Sequence, residues 1–285
     1  MLVDIVIFGT IWGAIYTILA LGFTLIFGVA RILNLAYGAM YMVASYLIYS
    51  LVSGFGLSAV PAWLLAVAAT SLLGMALYRV FIFPLRDSLG RVLIVTAGIA
   101  IFLQEVAVLV YSTEPRYVPT ALPGSLAILG VRVTHQQLLT LAVAAVLVFL
   151  LHAFLVRTRL GRELRAVAQD TEMAALMGIP VERTYLLAMA LSTALAAAAG
   201  ALVAPFLTVN PEMGWSPLLV AFTIVVVGGL GSLWGTIAAA FIVAYAEMLT
   251  AFLISPQLRD VVTFGIMIFT LVFRPHGLFG KGIVE

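Results

Sequence analysis

Nine apolar stretches follow one another along the chain, at about 5–28, 37–53, 59–83, 92–112, 135–156, 184–208, 217–230, 234–254 and 259–275, and charged residues are nearly confined to the gaps between them. A helix rises about 1.5 Å per residue, so a hydrocarbon layer of about 30 Å takes about 20 apolar residues to cross. Most of the stretches meet that length. Charged residues make up only 9% of the 285 positions and apolar ones 64%, whereas a globular chain carries about a quarter charged residues. A water-soluble core of this size would lack polar surface. The pattern predicts an all-α, polytopic membrane protein of about 8–9 helices, a single transmembrane domain over residues 1–285.

The stretch from 217 to 254 is too long for one crossing, and Gly228-Gly229-Leu230-Gly231-Ser232 divides it. Its first piece is short and reads as a re-entrant or broken segment, tolerated only where protein or a cavity covers the freed backbone. Five of the fourteen basic residues lie between Arg157 and Arg183. With that loop in the cytoplasm and the nine spans alternating, eleven basic residues face inward, among them Arg31, Arg79, Arg86, Arg91, Arg274 and Lys281, against Arg116, Arg132 and Arg259 outside. This satisfies the positive-inside rule. The N-terminus is then outside and the C-terminus inside. Residues 113–134 form the longest external connection and read as a compact capping loop.

The 157–183 loop has the marks of a built structure. Asp170 suits an N-cap, Glu172 falls in the first turn, and Gly178 stops a helix over 171–177 ahead of Pro180. Met173, Leu176 and Met177 share one face of it, while Leu164, Val167 and Ala168 form a second apolar stripe. So short a helix is unstable alone, so something must hold it. An amphipathic segment on anionic lipid is one reading. A knob seated in a soluble partner is the other, favoured by the acidic tip at Asp170 and Glu172, which anionic lipid repels.

Those residues carry a resemblance. RAVAQDTEMAALMGI is similar to the coupling-helix loop of ATP-binding-cassette importer permeases, in the form found in the branched-chain amino acid permease family. LGFTLIFGVARILNLAYG (Leu21–Gly38), GGLGSLWG (Gly228–Gly235) and the Ser255–Gly280 segment ending FRPHGLFG resemble that family too. Asp170-Thr171-Glu172 departs from the Asn-Pro-Glu or Asp-Pro-Glu usual at the tip, forfeiting a proline at N1 but keeping cap and charge. The resemblance implies an importer in a bacterial inner membrane, built from two homologous permease subunits, two cytoplasmic ATPases and an external solute-binding protein. It assigns ATPase coupling to Asp170, Thr171, Glu172, Met173, Leu176, Met177 and Gly178. Branched-chain or related amino acids are the implied cargo, with urea or short amides as the alternative inside the family. A self-sufficient channel or ion-coupled carrier is the alternative outside it.

Polar residues inside apolar spans are the candidates for a translocation pathway. They are Asn34, Gln104, Glu105, Ser192, Thr193 and Glu247; a structural role, bonding to a neighbouring helix or to their own, competes for each. Ala194–Ala204 reads as a smooth face for close packing, open to a homologous partner. Gly9–Ile15 resembles Gly231–Ile237, as an inverted repeat would. No metal site, cofactor site or nucleic-acid surface is expected. The only lysine, Lys281, cannot serve a phosphate-binding loop, because Pro275 stands where its first glycine should be and Gly282 where its hydroxyl should be, and His135, His152 and His276 are scattered, so no catalytic constellation is expected either. In this cysteine-free chain, Glu172→Cys is expected to react with an impermeant maleimide only after cells are opened; labelling of intact cells would reverse the topology.

Overall fold

The computed structural model describes residues 1–86, 88–120, 122–128, 130–274 and 277–279. Pro275, His276, Gly280, Lys281 and Gly282, which entered the charge, signature and phosphate-loop readings, lie outside the described residues.

Each expected apolar stretch holds a helix, although the one over 184–208 stops at Val203. The helices are α1 (Leu2–Ala30), α2 (Tyr37–Tyr49, continued by a π-helical turn Ser50–Gly54), α3 (Ala59–Leu77, prolonged to Leu85), α4 (Leu89–Tyr111), α5 (His135–Arg157), α6 (Arg159–Gln169), α7 (Thr171–Leu176), α8 (Val181–Val203), α9 (Trp215–Gly228), α10 (Leu233–Leu253) and α11 (Arg259–Phe273). Among the described residues, seven helices are long and apolar enough to cross a membrane, and α9 is a shorter apolar helix. At 14 residues, α9 extends about 21 Å, less than a full crossing.

The 113–134 connection holds what the apolar-run reading passes over. Strands β1 (Ser125–Ile128) and β2 (Val131–Thr134) pair antiparallel, Leu126 opposite Val133. Val131 and Val133 are buried while Arg132 points out, the period of two that a half-buried strand shows. Thr134 then caps α5 in a reciprocal box with Gln137.

Two helices form the interior. Along α1, Gly9 and Gly13 receive the rings of Tyr245 and Phe241 from α10; a Cβ at either glycine would lie 2.4 or 2.5 Å from a ring carbon. Thr24 and Thr236 share a hydrogen bond of 2.8 Å further along the pair. The contacts ascend α1 as they descend α10, so Gly9–Ile15 and Gly231–Ile237 run in opposite directions. On α8, Ala196 to Ala199 are all buried, and Gly200 lies against the Tyr41 carbonyl of α2. The Ala194–Ala204 face is thus spent inside the chain; small side chains let α2 and α1 approach closely, and little of that surface remains for a partner.

One end of the bundle carries α6 and α7. There Gly28 of α1, Leu155 of α5, Leu164 and Arg165 of α6, and Gly231 border one small cavity. The opposite end carries the hairpin and a two-way backbone pairing of Arg116 with Val209, at 2.8 and 2.9 Å. Between them, the first residues of α2 and α9 meet: a Cβ on Gly214 would lie 2.5 Å from the Gly38 carbonyl oxygen, and one on Gly38 2.2 Å from that of Gly214. No side chain fits. In the detergent-solubilised chain, Gly214→Val is expected to cost about 1–3 kcal/mol through overpacking, read as a lower thermal midpoint. Gly265→Ala, with open space beyond its Cα, should leave the midpoint unchanged; equal midpoints for the two would show that this contact does not exist.

Candidate functional site

The α6–α7 unit is a firmly held base with an unheld tip. Thr158 caps α6 by accepting the Gly161 amide at 3.0 Å. Gly161 itself lies flat on the end of α5, where a Cβ would be 2.3 Å from the Phe154 carbonyl oxygen. Leu164 and Val167, 0% and 1% exposed, anchor α6 beneath α1. The Asp170 carboxylate accepts the Met173 amide at 3.0 Å, the N-cap expected for that residue. Thr171 donates to the Val167 carbonyl at 3.2 Å and lies 3.4 Å from the Tyr185 hydroxyl of α8. Gly178 takes a φ of 80°, a left-handed stop that glycine adopts without strain. An ion pair between Arg79 and Glu182 ties the end of α3 to the start of α8.

The tip points away from all of this. Ala174 is buried, but Met173, Leu176 and Met177 are 60%, 81% and 83% exposed, with Glu172 and Asp170 exposed beside them. Three large apolar side chains on a six-residue helix have no reason to face water. The coupling set named from sequence, Asp170 to Gly178, forms one contiguous patch.

The six interior polar residues do not converge on one line. Asn34 lies in a non-helical run, 31–36, that climbs back into the bundle. Its depth follows from its neighbours. The Tyr37 hydroxyl donates to the Leu19 carbonyl at 2.6 Å, eleven residues or about 16 Å before α1 ends, and the Leu35 amide donates to Thr96 Oγ1 at 3.2 Å, about 10 Å along α4. Open backbone at that depth needs partners from the protein. Asn34 supplies them: its Oδ1 accepts the Ala36 amide at 3.0 Å and its carbonyl the Tyr37 amide at 3.2 Å. The Asn34 amide faces the Met189 sulfur at 3.7 Å. Asn34 is fully buried, and its structural duty was visible in sequence only as an interruption before Ala36-Tyr37-Gly38.

Thr193 donates to the Met189 carbonyl of its own helix at 2.8 Å and fills the space beside Gly74. Ser192 is buried with no hydrogen-bond partner for its hydroxyl among the described residues. Gln104 accepts the Trp215 indole N–H at 2.8 Å, beside the Gly38–Gly214 contact. Glu105, one residue on, is exposed on a face of α4 made of Ile101, Phe102 and Leu109. Glu247 is 2% exposed. Its two oxygens accept the Tyr16 hydroxyl at 2.7 Å and the Thr263 hydroxyl at 2.5 Å, and it borders a cavity at the hairpin end together with Arg259. Tyr16, Thr263 and Arg259 were not singled out from sequence; their partners lie on other helices, and no local pattern announces them.

A family model described as branched-chain amino acid transport system / permease component matches residues 5–271. The high-affinity branched-chain amino acid transport system permease protein BraD of Pseudomonas aeruginosa is 34% identical over 288 residues, covering 96% of this chain and 94% of its own. LivH of Escherichia coli K12, of the same description, is 30% identical over 292 residues, 97% of this chain and 95% of its own. LivM of the same organism, another permease protein of that description, is 28% identical over 299 residues, 93% of this chain and 67% of its own. Among solved structures, PsaBC from Streptococcus pneumoniae in complex with Fab shares the fold, with a TM-score of 0.54 at 15% identity over 94% of this chain and 91% of that one.

Because Asn34 satisfies buried backbone, Asn34→Ala is expected to destabilise the isolated chain by about 1–3 kcal/mol, the cost of leaving a buried donor unpaired. Thermal unfolding in detergent measures it without any transport partner. An unchanged midpoint would free Asn34 from the capping role.

Proposed function

This chain belongs to the branched-chain amino acid transport permease family, and from that premise we propose that it is the membrane subunit of an ATP-binding-cassette importer that carries branched-chain or related amino acids into the cytoplasm. The protein is a multi-pass membrane protein, and the bacterial inner membrane is its proposed location. It pairs with a second homologous permease, two cytoplasmic ATPases and an external solute-binding protein. The α6–α7 loop faces the cytoplasm.

The observation that carries the proposal is the contrast between the anchored base and bare tip of that loop. Met173, Leu176 and Met177 form an apolar knob at α7, which rests on α6 and α8, while α6 in turn is locked to α1, α5 and α8. Flexible methionines suit a groove that changes shape during a cycle. The acidic flank of Asp170 and Glu172 disfavours anionic lipid as the occupant. Nucleotide closes the ATPases; the knob moves with them and drags α6. The bias comes from the differential affinity of ATP for the closed arrangement, since a ligand indifferent to two states shifts neither. Of the interior polar residues, Glu247 borders a cavity and Gln104 a narrow gap beside the Gly38–Gly214 contact, and these two are the pathway candidates. Asn34 and Thr193 hold the helices that shape it.

Met173→Asp combined with Met177→Asp should abolish co-purification of the ATPase and lower ATP-driven leucine uptake at least about tenfold, the effect of losing a central apolar anchor. Both side chains are exposed, so the thermal midpoint of the chain itself should hold. An ATPase retained by the double variant would show that the contact lies elsewhere. Uptake by the purified chain alone, driven by a pH gradient without nucleotide, would replace the importer with an ion-coupled carrier.

A further inference from the structure

At the hairpin end of the bundle, α1, α2, α9, α10 and α11 border a partly open cavity of about 320 Å³, lined also by the 207–213 connection. Small-molecule pockets begin at about 300 Å³. Three charged residues border it: Glu247 of α10, and Arg259 and Asp260 in the first turn of α11.

The Glu247 carboxylate is held in place, and no ion pair joins it to Arg259. Tyr16 and Thr263 donate to the two Glu247 oxygens, which fixes the orientation of the carboxylate. No cation of the described residues lies within ion-pair distance of it. Arg259 Nε is shielded from solvent and makes no hydrogen bond within the described structure. The Glu247 carboxylate and Arg259 therefore border one void without an ion pair between them, and Arg259 Nε lacks the acceptor that a buried donor needs. A bare anion entering would meet Glu247 and Asp260, and a bare cation would meet Arg259. A ligand carrying both signs fits both.

Much of the remaining wall is apolar, with Tyr41, Thr208, Asn210 and Ser216 adding polar groups. Ile15 and Leu19 of α1 and Val220 of α9 form the apolar part, with the Trp12 ring beside them. Ser216 and Pro217 bring the first turn of α9 to the edge, where the helix dipole adds to the attraction for a carboxylate.

We propose that this cavity is an internal subsite for an α-amino acid zwitterion with a compact aliphatic side chain. The ammonium group goes to Glu247, with Asp260 nearby; the carboxylate goes to Arg259; the side chain packs on Ile15, Leu19 and Val220. The site lies within one chain and gives incoming substrate a holding point inside the permease. It deepens the import reading, on which it rests for the direction of travel, while the chemistry it selects follows from the cavity.

The test is calorimetric titration of the assembled complex, without its binding protein, using leucine, leucinamide and 4-methylpentanoate. The two analogues delete the carboxylate and the ammonium in turn. Leucine should bind at least about tenfold more tightly than either, the effect of losing one charge-assisted hydrogen bond. Arg259→Gln should bring leucine down to the level of leucinamide, and Glu247→Gln should bring it down to that of 4-methylpentanoate. Arg259 is only half-buried, so its variant gives a reading even if the buried Glu247→Gln fails to assemble. Leucine bound no better than its analogues, or an Arg259→Gln complex that keeps the wild-type preference, would overturn the subsite. ATP-driven leucine uptake by the wild-type system is measured alongside: its absence would count against the import reading, whereas normal uptake with no zwitterion preference would remove this site alone.

Discussion

The structure depends on one constraint: backbone polar groups away from water must find partners in the protein. Unbroken helices meet it by themselves, and most of this chain does so. The informative places are where it does not. At 31–36 the chain leaves α1, turns, and re-enters the bundle before α2 begins, so that the Tyr37 ring lies beside Phe23 and its hydroxyl reaches Leu19. Asn34 and Thr96 then do what a helix would have done, accepting the Ala36 and Leu35 amides. At the opposite end, Asn210 accepts the Glu212 amide through its side chain and the Met213 amide through its carbonyl, and α9 starts from there. Both breaks use an asparagine for the same reason: a short side chain that reaches its own backbone two residues on.

Those breaks require close approach, and close approach requires small residues. Gly38 and Gly214 meet where the two shortened helices begin. Gly200 lets α2 lie on α8, and Gly22 admits the Tyr37 hydroxyl that reaches Leu19. At Gly9 and Gly13 the missing side chains are replaced by the rings of Tyr245 and Phe241, so the gap left by a glycine is filled by an aromatic from the next helix. In lipid the driving force between helices is packing rather than water exclusion, so such pairs carry more of the cohesion than they would in a soluble bundle.

The spans were legible because a charge in hydrocarbon costs about 2.5–3.5 kcal/mol at a helix centre, and that cost empties the apolar stretches of charge. Short α9 was legible from Gly228–Gly231. The α6–α7 loop was legible because caps, stops and dipole charges are local: Asp170, Glu172 and Gly178 announce themselves within ten residues. The break after α1 was less so, since Ile32, Leu33 and Leu35 keep the hydropathy of a helix while the backbone abandons it. The hairpin was hidden by its brevity. Least visible was the surrounding of Glu247. Its carboxylate stood out in sequence, but Tyr16 lies 231 residues away and Thr263 sits on the following helix, and Arg259 read as an ordinary loop charge. Which helices pack together decides those contacts, and no window of sequence contains that information.

The two ends of the molecule are joined by the same pair of helices. At one end α1 presents Gly28 and Val29, and α10 its Leu233 start, to the cavity beneath Leu164 and Arg165 of α6. At the other end α1 presents Trp12 and Tyr16, and α10 presents Glu247, to the cavity with Arg259. Along its length the pair is interlocked by Gly9 with Tyr245, Gly13 with Phe241, and Thr24 with Thr236. A packed interface of this kind does not deform gradually; it holds one arrangement or shifts to another. Displacement of α6 meets α1, against which it packs, and the hydrogen bond from Tyr16 to Glu247 crosses from α1 to α10 at the far end. A shift of one helix along the other therefore alters the placement of the Glu247 carboxylate. That carboxylate is held by one donor from α1 and one from α11, so it registers relative motion of either helix against α10.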